Sequence, residues 1–123
     1  MEITTTSISF FRNSTETTTY RAGETIYRAG SDDDKMYAVQ SGEVDIYFNG
    51  QVIETVSEDA IFGEKSLIDD EPHTTTAVAK TDAVIVPVNE QKFLFLVHET
   101  PTFALQVMRV MAARLRNMTL KAF

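Results

Sequence analysis

Phe62 to Asp82 reads FGEKSLIDDEPHTTTAVAKTD. A Gly-Glu pair, a short acidic loop and a Pro-His-Thr-Thr-Thr run fall here within the reach of one strand-turn-strand unit. Small and hydroxyl-bearing residues at such spacing leave backbone N–H groups free to face an anion. The stretch is therefore the candidate site, and its flanks decide the scaffold that carries it.

Upstream, from Thr25 onward, short β-rich runs alternate with turn signals at the interval of an all-β sandwich or barrel. TIYR precedes Ala29-Gly30, KMYAVQ precedes Ser41-Gly42, VDIYF precedes Asn49-Gly50, and VIETV precedes Ser57-Glu58-Asp59. Asn49-Gly50 is the strongest of these turns, because both residues tolerate the positive φ that a tight hairpin demands. Downstream, residues 74–80 and 83–88 add two strands, and then the period changes. Asn89 caps a short helix carrying Phe93, Leu94, Leu96 and Val97. Thr100 and Pro101 open a second helix, in which Phe103, Val107, Met111 and Leu115 recur at i, i+4 spacing. Arg109, Arg114, Arg116 and Lys121 load its C-terminal half, where cations complement the helix dipole, and they read as a solvated face. The opening residues are rich in Thr and Ser, with one apolar knot at Ile8, Phe10 and Phe11. They read as a lead-in whose aromatics dock on the domain.

The chain of 123 residues is the length of one domain, divided into a lead-in (1–19), a β-roll (20–88) and C-terminal helices (89–123). With 43% hydrophobic and 24% charged residues it has a core to bury. A formal charge of −7 opposes binding to nucleic acid or anionic lipid, both of which reward clustered Lys and Arg. The absence of cysteine excludes disulfides, thiolate metal sites and cysteine nucleophiles. His73 and His98 lie too far apart for a paired zinc motif and give little material for acid-base catalysis. With neither a basic leader nor an apolar run of membrane length, the expectation is a cytoplasmic protein without a metal, cofactor or enzymatic activity.

Three blocks in order, AGETIYRAGSDDDKMYAVQSGEVDIYF, then FGEKSLIDDEPHTTTAVAKTD, then FLFLVHETPTFALQVMRVMAARL, resemble the cyclic-nucleotide-binding domain family over about residues 20–118. The resemblance implies a mainly β fold: a double-sheet jelly-roll or β-roll with flanking helices and a helical C-terminus. It also implies a phosphate-binding cassette of the form FGE-x-(A/S)-L, a variable loop, then P-R-(S/T/A)-A-(T/S). Phe62-Gly63-Glu64, Ser66, Leu67 and Pro72 match that form. In the family the glycine and neighbouring amides meet the cyclic phosphate, and the glutamate accepts the ribose 2′-hydroxyl. Those roles fall on Gly63, Lys65 and Ser66 through backbone N–H, and on Glu64 through its carboxylate. His73 stands where the family carries an arginine, Thr74 holds the hydroxyl position, and Thr75 replaces a small residue. Asp59 replaces a glycine ahead of the cassette. Thr119 keeps a hydroxyl near the base end of the ligand, beside the apolar Met118.

An arginine grips two phosphate oxygens with a permanent charge; an imidazole does so only when protonated, and with fewer donors. Losing one such contact weakens binding about ten- to hundredfold. The resemblance thus implies a regulatory sensor for cAMP, cGMP or a related phosphate ligand, read by an effector protein through the C-terminal helix. The alternative is a degenerate domain that ignores nucleotides and pairs with a protein through Met108, Met111 and Met118. Because the long dimer helix of related regulators is cut short, a monomer or weak dimer is expected.

Overall fold

The protein is described by a computed structural model over residues 9–122, with side-chain surroundings for 10–118. Ile8 and the side chain of Thr119 lie outside the described residues.

Eight antiparallel strands form two four-stranded sheets, followed by helices. The first sheet has the order β1 (Thr18–Tyr20), β8 (Ala83–Val88), β3 (Met36–Ser41), β6 (Ile61–Phe62). The second has β2 (Thr25–Tyr27), β7 (Thr76–Ala79), β4 (Val44–Phe48), β5 (Gln51–Val56). Helix α1 (Glu64–Asp69) follows β6, and α2 (Glu90–Glu99) and α3 (Thr102–Ala122) close the chain.

The burial of β3 explains its sequence. MYAVQ lacks a polar alternation because the strand is covered on both faces, and its side chains divide between two cores. Tyr37 and Val39 point between the sheets with Val44, Ile46, Phe62 and Ile85. Met36 and Ala38 point outward under the helices with Val86, Val88, Phe103, Val107 and Val110. The helices are thus packed on the back of the first sheet, and the register Tyr37↔Phe62 fixes the start of the cassette against β3.

The expected turn at Asn49-Gly50 has φ values of 52° and 79° and joins β4 to β5. The Asn89 side chain accepts from the Lys92 N–H at 2.8 Å and caps α2. Phe11 is buried, and Phe10 and Phe11 meet Phe103 edge-on with centroids 5.2 and 6.0 Å apart, so the aromatics of the lead-in dock on α3.

Three details differ from the sequence reading. β1 begins at Thr18, inside the segment read as lead-in, because its β-branched threonines pair with Ala83–Ile85. Residues Glu64–Asp69 after Gly63 form a short helix, with a Lys65–Asp69 pair at i, i+4 and 2.9 Å, so only Asp70 and Glu71 of the acidic stretch remain as loop before Pro72. Asp59 occupies the place of a glycine in a glycine's conformation, φ 71°, and the Arg12 side chain clasps its carboxylate with three hydrogen bonds of 2.6–3.2 Å.

Candidate functional site

The cassette begins where β6 ends. Gly63 takes φ 72°, a left-handed conformation that turns the chain from strand to helix. It has no room for a side chain: a Cβ there would lie 3.1 Å from Tyr27, 3.2 Å from His73 Cε1 and 3.3 Å from Tyr37. Lys65 and Ser66 follow in the first turn of α1, so their amides belong to a helix start. Ser66 is fully buried, and its hydroxyl has no hydrogen-bond partner among the described residues. The Ser31 hydroxyl, on the residue whose carbonyl accepts from the His73 N–H at 3.0 Å, shares that condition.

Glu64 is buried, and a cation from the far end of the chain holds it there. Arg114 of α3 donates to Glu64 at 2.8 Å, to both carboxylate oxygens of Glu54 on β5 at 3.0 and 3.1 Å, and to the Ile61 carbonyl at 2.7 Å. Burial works against the Arg114 charge, but the two carboxylates outweigh it and raise its pKa above the usual guanidinium value. Arg114 therefore departs from the solvated face expected of the helix cations. It spends its donors on one segment of the cassette, one strand and one backbone carbonyl.

His73 is also buried, 4% exposed, and lies flat on Tyr27 with ring centroids 3.7 Å apart at 12°. Its Nε2 meets Asp33 Oδ1 at 2.5 Å. The Tyr37 hydroxyl donates to the other Asp33 oxygen. Burial opposes charge on Asp33, yet the hydrogen bonds from Tyr37 and His73 outweigh it and hold the carboxylate below its usual range. Burial, reinforced by Asp33, pushes the Tyr37 phenol well above its usual range. Burial pushes Tyr27 up to about 12, against the opposing hydrogen bond to Thr75.

The partner of His73 is thus Asp33, from the segment before β3, and not the acidic residues beside Pro72 in sequence. Asp69 pairs with Lys65, and Asp70 and Glu71 are exposed. Thr74 is exposed, whereas Thr75 Oγ1 lies 3.0 Å from the Tyr27 hydroxyl. The structure gathers Gly63, Glu64, Ser66, His73 and Thr75 around one turn. Sequence reasoning missed Tyr27, Asp33, Tyr37, Glu54 and Arg114. Only Arg114 gave a signal, as one of several cations on a helix that also carries the core residues Val107 and Val110.

Residues 17–100 match the cyclic nucleotide-binding domain family. Among solved structures, the catabolite activator protein of Thermus thermophilus is 27% identical with a TM-score of 0.78, covering 86% of this chain and 52% of that one. The N-terminal domain of a transcriptional regulator from Streptomyces coelicolor is 26% identical with a TM-score of 0.63, over 83% of this chain and 76% of that one. A cyclic nucleotide-binding domain from Methylobacillus flagellatus, 23% identical over 82% of this chain and 62% of that one, shares the fold at a TM-score of 0.70. The chain spans about half the length of the Thermus protein. It belongs to the cyclic nucleotide-binding domain family.

Proposed function

We propose, from that membership, that the chain is a non-enzymatic regulatory module that senses cAMP, cGMP or a related phosphate ligand in the cassette and signals through α3 to an effector protein. The observation that carries this reading is the Arg114 contact to Glu64. If Glu64 accepts a ribose hydroxyl, the sugar and Arg114 share one carboxylate, and a helix far along the chain feels the ligand directly. The buried hydroxyl of Ser66, which has no partner among the described residues, supports a polar occupant beside the turn.

The ligand-binding set is Gly63, Glu64, Lys65, Ser66, His73, Thr74, Thr75 and Thr119. Working as one domain, monomeric or weakly dimeric, the module meets neither nucleic acid nor membrane and acts in the cytoplasm. Among the described residues no helix is long and apolar enough to cross a membrane. Calorimetric titration with cAMP and cGMP tests the reading. Saturable binding that Glu64→Ala weakens supports it, and the absence of heat with both nucleotides at millimolar concentration refutes it.

One observation favours the second reading, a degenerate domain that acts only by protein contact: His73 is buried against Asp33 where the family arginine would face a phosphate. In that case the exposed Met108 and Met118 of α3 are the contact surface, and nucleotides leave the protein unchanged.

A further inference from the structure

The cassette imidazole already has an anion. His73 Nε2 lies 2.5 Å from Asp33 Oδ1, and an ionised carboxylate only accepts, so Nε2 carries the hydrogen. Tyr37 holds the second oxygen of Asp33, and Tyr27 stacks on the imidazole at 3.7 Å, so neither member of the pair turns away without breaking a contact. The same ring borders the turn, its Cε1 being 3.2 Å from where a Gly63 Cβ would sit.

A phosphate at this turn faces a donor set already in use. The groups packed on His73 are Asp33 from the segment before β3, Tyr27 from β2, Tyr37 from β3 and the Gly63 turn. Both phenols stay neutral because burial raises their pKa values. The His73–Asp33 pair is then neutral with a protonated imidazole and negative with an unprotonated one. In neither state does it offer net positive charge to an anion. An arginine at the same position has five N–H donors and can hold a carboxylate and a phosphate together; an imidazole has two.

We propose that Asp33 is a specificity-determining residue of the cassette: an internal anion that holds the His73 donor against the phosphate of a ligand and sets how strongly an anionic ligand is taken. The proposal rests on the cyclic-nucleotide reading above.

The test is calorimetry with cAMP and cGMP on four chains: wild type, Asp33→Asn, His73→Arg and the double variant. Asp33→Asn should tighten binding about tenfold in the His73 chain, since it removes a negative charge beside the ring and leaves Nε2 only a neutral acceptor, which holds a donor less strongly. In the His73→Arg background the same change should matter about threefold or less, because the guanidinium serves both partners. A residue with a purely structural role would act alike in both backgrounds. Asp33→Ser replaces Asp33→Asn if circular dichroism shows that the latter has lost its fold. Binding by the His73→Arg chain with no gain from Asp33→Asn in the His73 chain overturns this inference alone. Binding of neither nucleotide by any of the four overturns the nucleotide reading, and the inference with it.

Discussion

At the scale of residues, the site is two partly buried charge clusters that meet at one glycine turn. Arg114, Glu64 and Glu54 form the first. Removing the cation from such a cluster leaves a buried carboxylate without a partner, which costs far more than the pair itself contributes. Arg114→Ala should therefore lower stability by about 3 kcal/mol in urea unfolding, and combining it with Glu64→Gln should recover part of that loss. A loss below about 1 kcal/mol would mean that the cluster is a surface pair.

Asp33 anchors the second cluster, and its depressed pKa links stability to pH. The stability it contributes is present above the unfolded carboxylate value of about 4 and is lost as pH falls through the lower folded value. Unfolding curves at several pH values should thus show the wild type more stable than Asp33→Asn near neutrality, with the gap closing in acid. A gap independent of pH contradicts the assignment. Glu64 and His73 were legible in the sequence because they sit inside a recognisable motif. Arg114 and Asp33 were not, since 50 and 40 positions separate them from their partners and no local pattern records which carboxylate a cation will find.

At the scale of elements, the turn between β6 and α1 is constrained by its side-chain surroundings as well as by its backbone. Gly63 and Gly50 both have positive φ, 72° and 79°, but only Gly63 is walled by side chains, and the space around Gly50 is open. Alanine at either position carries backbone strain of about 1 kcal/mol. At Gly63 it must also displace Tyr27, His73 or Tyr37, so Gly63→Ala should destabilise by about 1–3 kcal/mol more than Gly50→Ala. Equal effects in parallel denaturation experiments would contradict the packing described for the turn.

Strand and helix positions were legible wherever periodicity was strong, as at the Asn49-Gly50 hairpin, the Asn89 cap and the i, i+4 apolar series of α3. Helix α1 was hidden because six residues give too short a window for a helical period. β1 was hidden because TTY has no apolar alternation to mark it as half buried.

At the scale of the whole molecule, α3 has two commitments. Phe103, Val107 and Val110 close the core on the back of the first sheet, while Arg114 reaches the cassette turn. Leu105 and Met108, by contrast, are exposed, so only one apolar face of the helix is committed to the core. With Phe103, Val107 and Val110 committed to the core, the helix should support a monomer or a weak dimer at micromolar concentration. Light scattering that finds a tight dimer would refute this and turn attention to the exposed face.

On the function proposed above, the cassette and α3 respond as one unit to a cyclic nucleotide. Amide hydrogen exchange with and without saturating cAMP tests it most directly. Altered protection is expected in two separate segments, the turn after Gly63 and the turns of α3 around Arg114, with the α3 response lost in Arg114→Met. Altered exchange at the cassette with α3 unchanged, or no change anywhere in the chain, would contradict it.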